Sequence, residues 1–175
     1  MKLVSVMCAA ALFAMNQLTL AAAPAAAPVA VSAASHVKSV QDMLVAMQAE
    51  KMMRSIAGAS RYSNDEQRKA VFAKLDKVPV AEVYRRLAAP VARLVSVETA
   101  TEMTKYYASP YGQRVLKSMY NSGPSYGDNT PVPSAAERKA LKNPELVRAQ
   151  KAFAQAQEGI RHEAFLLLQA LSKRK

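Results

Sequence analysis

The chain reads YYASPYGQRVLK at residues 106–117, where helix-ending and helix-starting residues are most densely spaced. Ser109 is a good N-cap residue, and Pro110 suits the first helical position because proline has no N–H to leave unpaired there. A residue that precedes proline is also disfavoured in helical geometry. The stretch therefore predicts that one helix stops at Ala108 and another starts at Pro110, so that two helices meet at a Ser-Pro corner.

The composition of the 175-residue chain favours helices throughout. Ala, Leu, Met, Lys, Arg, Gln and Glu dominate, and these side chains lose little conformational freedom in a helix. Glycine occurs only 5 times and tryptophan is absent, and a chain of this length holds one hydrophobic core. We therefore predict an all-α fold, a single-domain bundle of about five to seven helices.

The N-terminal residues have the order of a secretory signal peptide. Lys2 precedes an apolar run over residues 3–15, and small residues follow over 21–27. We predict a signal peptide over residues 1–27, cleaved between 21 and 27, and therefore a periplasmic or secreted protein without a transmembrane helix after signal removal. The single cysteine, Cys8, lies in this segment, so the mature chain would carry no thiol.

The domain boundaries follow from composition. Residues 28–34 are rich in Ala and include a proline, which predicts a linker. Residues 35–172 are predicted to form the helical domain, and residues 173–175 are predicted to form a basic tail. Over residues 36–56 the apolar residues recur at three- and four-residue steps, which predicts one amphipathic helix. A run of turn-forming residues at 121–133 predicts an exposed loop.

Capping residues predict where the later helices begin. In the helix after Pro110, Val115, Leu116 and Met119 are expected on the buried face, and the last helix is expected to run to about Ser172 with a regular apolar stripe. The predicted starts are Ser63 or Asn64, Pro79, Ser96 or Thr99, Ser109, Ser134 with Glu137, and Asn143 before Pro144.

A family resemblance lies at positions 106–115, which read aromatic-tyrosine, Ser-Pro, any residue, Gly-Gln, basic residue, hydrophobic residue. This order resembles the motif of the bacterial family called domain of unknown function 2059. The chain departs from that family at Val95, Val97 and Met103, and after Met119, where the family often has a proline. The resemblance implies an exported, mostly periplasmic, all-helical protein, and it supplies no assigned activity or catalytic residue.

The same stretch contains the candidate binding residues Tyr106, Tyr107, Tyr111, Gln113 and Arg114. They would form an aromatic-lined notch with the amide and the guanidinium at its rim. The structural alternative is that the three tyrosines pack around the helix junction, since aromatic rings at helical spacing more often belong to a core.

The formal charge of +11 favours anionic partners and does not bear on the fold. Arg85, Arg86 and Arg93 are candidates for contact with an anionic surface, such as the peripheral face of a membrane. The alternative is a solvated helical face, which is the ordinary role of scattered charge. Nucleic acid is not expected as a partner of an exported protein.

No cofactor, metal site or catalytic residue is predicted. Met43, Met47, Met52 and Met53 have the spacing of a helix face filled by adaptable apolar side chains, which is favoured over a Cu(I) site. His162 and Glu163 begin a metalloprotease-like motif, but Leu166 stands where the second histidine is required. His36, next to the linker, is expected to be exposed.

The sequence therefore favours a non-enzymatic binding or interaction module for an anionic envelope component or a protein partner. Two alternatives remain: an enzyme of unknown type with a site near the corner between Tyr106 and Arg114, and a purely structural oligomeric subunit. An enzyme predicts a concave pocket beside a buried titratable group, whereas a binding module predicts a basic or apolar exposed surface. The oligomeric state does not follow from the sequence.

Overall fold

The computed structural model describes residues 32–121 and 130–173, and these residues are all-helical, as predicted. The predicted signal peptide, residues 28–31 of the linker, most of the predicted loop and the last two basic residues lie outside the described residues. Within the described residues there are eight helices: α1 (Ala33–Ala46), α2 (Ala49–Ala59), α3 (Asp65–Asp76), α4 (Val80–Val91), α5 (Val97–Ala108), α6 (Pro110–Asn121), α7 (Ala135–Leu141) and α8 (Pro144–Ser172).

The prediction of one continuous helix over residues 36–56 is wrong, because the chain breaks between α1 and α2. Gln48 lies in the left-handed region, with φ 55° and ψ 54°, which a right-handed helix cannot contain. Apolar residues keep helical spacing on both sides of the break, and neither glycine nor proline stands there to mark it. This break raises the helix count above the five to seven that we expected.

Several helix starts lie at the predicted caps. The Asn64 side chain accepts a hydrogen bond from the Gln67 N–H at the start of α3, and Ser134 and Glu137 form a reciprocal capping box on α7. At α5 the cap is Ser96, whose Oγ accepts a hydrogen bond from the N–H of Thr99. The local capping chemistry therefore determines where these helices begin.

The long helix α8 completes the core of the bundle. It packs against α2, α3, α4 and α5, so the C-terminal part of the chain shares one compact unit with the helices before it. Because α8 presents an unbroken apolar stripe along its 29 residues, it covers several shorter helices at once. The predicted stripe is buried at every position: Leu146, Phe153, Ile160, Ala164, Leu167 and Leu171.

The four methionines that were weighed as a copper site are all buried in the hydrophobic core: Met43, Met47, Met52 and Met53. Two other expectations are wrong. Met119 is 53% exposed rather than buried, because the core-facing positions of α6 are taken by Leu116 and the partly buried Tyr120. His36 is half-buried, and its Nε2 lies 2.8 Å from the carbonyl oxygen of Val95, which joins the start of α1 to the turn before α5.

Within the described residues, no helix is both long enough and apolar enough to cross a bilayer.

Candidate functional site

The junction between α5 and α6 is held by the hydroxyl of Ser109. This Oγ donates a hydrogen bond of 2.6 Å to the carbonyl of Tyr106 and accepts one of 3.0 Å from the N–H of Gly112. The Ser109 side chain therefore adds a second hydrogen bond to the Tyr106 carbonyl, which already accepts from the Ser109 N–H, and satisfies an N–H in the first turn of α6.

Gly112 permits the close approach of these two helices. A Cβ atom added at Gly112 would lie 2.0 Å from the carbonyl oxygen of Tyr106 and 2.9 Å from the Cα of Tyr107. Since both of these atoms belong to the backbone, no side-chain rotation could relieve the overlap. The glycine thus determines the distance between the end of α5 and the first turn of α6.

The three tyrosines form a connected aromatic cluster with edge-to-face geometry. The ring centroid of Tyr106 lies 5.1 Å from that of Tyr107 and 6.3 Å from that of Tyr111. The ring centroid of Tyr107 lies 6.1 Å from that of Phe153 in α8. Tyr107 is only 8% exposed and belongs to the hydrophobic core. Burial raises the pKa of both Tyr106 and Tyr107, so these hydroxyls stay protonated near neutral pH.

Tyr106 and Tyr111 line a cavity of about 290 Å³ between α5, α6, α7 and the start of α8, which we call the tyrosine notch. Its lining is mostly apolar but includes charged side chains, and among these Lys105 donates a hydrogen bond of 2.6 Å to Glu102. The notch is lined by Glu102, Lys105, Tyr106, Ser109, Pro110, Tyr111, Glu137, Ala140, Leu141, Asn143 and Leu146.

Gln113 does not line the tyrosine notch but faces the break between α1 and α2. Its Nε2 donates a hydrogen bond of 2.6 Å to the carbonyl of Tyr107, and its Oε1 accepts one of 3.0 Å from Gln48. The hydroxyl of Tyr120 also donates to the carbonyl of Met47 at 3.0 Å. Two side chains of α6 therefore contact the break: Gln113 bonds to the Gln48 side chain, and Tyr120 satisfies the Met47 carbonyl.

On this side of α6 lies a second cavity, of about 400 Å³, which we call the basic concavity. It combines three cationic side chains with three amide side chains, and none of the described residues that line it is acidic. Lys51 and Lys117 are exposed, and neither forms an ion pair within the described ranges. The lining residues are Gln48, Lys51, Gln113, Arg114, Lys117 and Asn121.

Arg114 lies between the two cavities. Its guanidinium lies 5.5 Å from the ring centroid of Tyr111, a cation–π contact, and its Nη2 donates a hydrogen bond of 2.8 Å to Oε2 of Glu137. This hydrogen bond, together with one from the N–H of Ser134, lowers the pKa of Glu137 to about 2. Arg114 therefore contacts a wall of the tyrosine notch while it also lines the basic concavity.

The structure does not bring Arg85, Arg86 and Arg93 into either cavity. Arg85 and Arg93 are exposed, on α4 and just after it. Arg86 is half-buried, and its Nη1 lies 3.5 Å from Oε1 of Glu82 one turn earlier on α4. Arg86 is therefore less available to an anionic surface than the sequence suggested.

Sequence reasoning missed four of the six residues that line the basic concavity: Gln48, Lys51, Lys117 and Asn121. Lys51 lies in α2 and Lys117 in α6, and the two helices are far apart along the chain but pack against each other. No local pattern marks such a pair. Among the described residues there is no group of three or more His, Cys, Asp or Glu side chains that could hold a metal ion.

Protein-family models, curated proteins and solved structures were compared with the chain, and no match was found in any of the three. The function is therefore inferred from the geometry of the chain itself.

Proposed function

We propose that this protein is an exported, non-enzymatic binding module that takes an anionic envelope component in the basic concavity. The observation that carries the proposal is the convergence of Lys51, Arg114 and Lys117 on one cavity whose described lining includes no acid. Cations held on two different helices, with amide donors between them, suit an anion that accepts several hydrogen bonds.

The charge of the whole chain supports the same class of ligand. A formal charge of +11 attracts anions over long range and raises their association rate. Arg85 and Arg93 are exposed outside the tyrosine notch and the basic concavity, and in this proposal they steer an anionic surface toward the protein. Contact with the membrane would then be peripheral, through charge.

The proposal that the protein is exported rests on residues 1–27, whose composition is that of a signal peptide. The motif at residues 106–115 adds its resemblance to the exported helical proteins of domain of unknown function 2059. In this proposal the protein works in the periplasm or outside the cell, where anionic lipids and polysaccharides are abundant ligands.

A second candidate is an enzyme whose site is the tyrosine notch, favoured by the presence of Tyr106 and Tyr111 beside the carboxylates of Glu102 and Glu137. The Tyr106 hydroxyl could act there as a hydrogen-bond donor, because burial raises its pKa. Ligand binding that depends on the notch and is insensitive to salt would favour this candidate. A structural subunit would instead form oligomers through α8, which scattering would detect.

The proposal is tested by binding to vesicles that carry anionic lipid. The double variant Lys51→Gln/Lys117→Gln removes two charges of the concavity, and Gln keeps a helix propensity close to that of Lys. We expect affinity to fall about tenfold, since each charge-assisted contact contributes roughly 0.5 to 1 kcal/mol in an open site.

The matched control is Lys69→Gln/Lys151→Gln, which removes the same charge from exposed positions on α3 and α8. We expect this control to lose much less affinity. Equal losses in the two double variants would mean that binding depends on net charge alone, and the assignment of the concavity as the site would then be wrong.

A further inference from the structure

Arg114 has a partner on one side and an open cavity on the other. Its guanidinium pairs with Glu137 of α7, while the same side chain lines the basic concavity with Lys51 and Lys117. A guanidinium group presents five N–H donors in a planar fork that matches oxyanions. When two anions compete for it, the group pairs mainly with the one that binds it more strongly. An anion that enters the concavity therefore competes with the Glu137 carboxylate for Arg114.

Helix α7 is lightly attached to the bundle. None of its seven residues is buried, and its capping box and the bond from Arg138 to the carbonyl of Pro133 are local to its own segment. The ion pair between Arg114 and Glu137 crosses from α6 to α7, and Ala140 and Leu141 form one wall of the tyrosine notch. Breaking that ion pair would remove this contact between α6 and α7 and so favour movement of α7 away from the notch.

The chemistry of the concavity indicates which anion could do this. A carboxylate has one charge and two oxygens, which is what Glu137 already offers. A phosphate monoester carries close to two charges at neutral pH and three terminal oxygens, enough to accept from Lys51, Lys117 and the Arg114 fork together. The exposed pair with Glu137 is weak enough to be replaced, since such pairs contribute little net free energy.

We infer that the basic concavity binds a phosphate monoester group, which draws Arg114 away from Glu137 and so releases α7 from the tyrosine notch. This inference rests on the proposed function, because it assumes that the concavity is the anion site. It adds a ligand class and a consequence of binding: an anion on one side of α6 exposes an apolar cavity on the other.

Thermodynamic linkage gives the inference a measurable form. If bound phosphate weakens the Arg114–Glu137 pair, then removal of that pair must strengthen phosphate binding by the same factor. Glu137→Gln should bind inorganic phosphate about 2- to 5-fold more tightly than the unaltered protein, which is the range expected for an exposed ion pair. Glu158→Gln is the matched control, because it removes one negative charge from an exposed position of α8.

The experiment combines calorimetric titration with inorganic phosphate and amide hydrogen exchange of residues 135–141. We expect saturating phosphate to speed exchange in α7, and Glu137→Gln to speed it without ligand. Unchanged exchange at saturation, or equal phosphate affinities in Glu137→Gln and Glu158→Gln, would overturn the release of α7. If phosphate binds equally well to Lys51→Gln/Lys117→Gln, the proposed site itself fails, because those two lysines line it.

Vesicles separate a lipid headgroup from a free phosphate group. Phosphatidic acid carries a monoester and phosphatidylglycerol a diester, so vesicles matched in total charge compare the two chemistries. We expect tighter binding to phosphatidic acid, and displacement by inorganic phosphate if the group alone suffices for the site. Equal binding to both lipids would overturn the monoester assignment, whereas lipid binding that phosphate does not displace would place the monoester on a membrane lipid.

Discussion

Arg114 donates a hydrogen bond of 2.8 Å from Nη2 to Oε2 of Glu137, which joins α6 to a helix that buries none of its own residues. The same guanidinium lies against the Tyr111 ring and lines the basic concavity. One side chain thus lies between the tyrosine notch and the basic concavity.

The first prediction concerns the pH at which α7 loses its ion pair. The pKa of Glu137 is about 2, below its ordinary value of 4.5, because Arg114 and the Ser134 N–H stabilise the carboxylate. Because its pKa is depressed, the ionised Glu137 stabilises the contact of α7 with α6 above pH 4.5. This contribution is lost as the pH falls through about 2. Arg114→Gln should move the pKa of Glu137 back toward 4.5, and NMR titration of the side-chain carboxyl measures this.

Three other cations lie near Glu137 among the described residues: Lys105 shares the notch lining, and Arg138 and Lys139 lie on α7 itself. The described notch lining also includes the acid Glu102. Lys139→Gln is therefore a suitable control, since it removes a nearby cation that makes no hydrogen bond to Glu137. If Arg114→Gln and Lys139→Gln shift the pKa of Glu137 equally, the specific ion pair is not the cause.

The second prediction concerns the close approach at the junction of α5 and α6. Gly112→Ala places a Cβ 2.0 Å from a backbone oxygen, and the forced separation of the helices should cost about 1 to 3 kcal/mol of unfolding free energy. Gly58→Ala, where nothing lies within 4 Å of the added Cβ, should raise stability by about 0.5 to 1 kcal/mol through helix propensity.

Urea unfolding of the two glycine variants measures both changes. Opposite signs are the expected result, because the same added methyl group meets backbone at one position and open space at the other. A Gly112→Ala variant as stable as the unaltered protein would mean that the two helices can separate at little cost.

The third prediction concerns the break between α1 and α2. Gln48→Gly and Gln48→Ala both remove the amide that bonds to Gln113, so they differ only in the cost of the left-handed backbone. We expect the Gly variant to be more stable than the Ala variant by about 1 kcal/mol, because a Cβ is disfavoured in that region. In a continuous helix the order would be reversed by a similar amount.

Chemical denaturation of these two variants therefore decides between a broken and a continuous helix by the sign of the difference between their free energies of unfolding. Greater stability of Gln48→Ala would show that α1 and α2 form one helix in solution.

The fourth prediction separates steering from binding. Arg85→Glu/Arg93→Glu alters exposed charges outside both cavities and should slow association with anionic vesicles several-fold at low salt, with little change in dissociation. Lys51→Gln/Lys117→Gln should act mainly by speeding dissociation. Surface plasmon resonance at two ionic strengths resolves the two rates, and a faster dissociation of the arginine variant would place those residues in the bound contact instead.

The prediction of the fold from sequence was accurate where the deciding contacts are local. The caps at Asn64, Ser134 and Asn143 accept hydrogen bonds from N–H groups two or three residues further along the chain, so sequence spacing is enough to find them. The apolar stripe of α8 was found for a similar reason, since helical periodicity fixes which side chains share a face.

The sequence by itself therefore determined the helical class, most helix starts and the buried face of α8, because these depend on residues within one or two turns of each other. Only the tertiary structure decided the left-handed turn at Gln48 and the basic concavity. Gln48 and Gln113 are 65 residues apart and bond at 3.0 Å because α2 packs against α6. That packing stabilises a break that no local residue marks, and it brings Lys51 and Lys117 to one cavity.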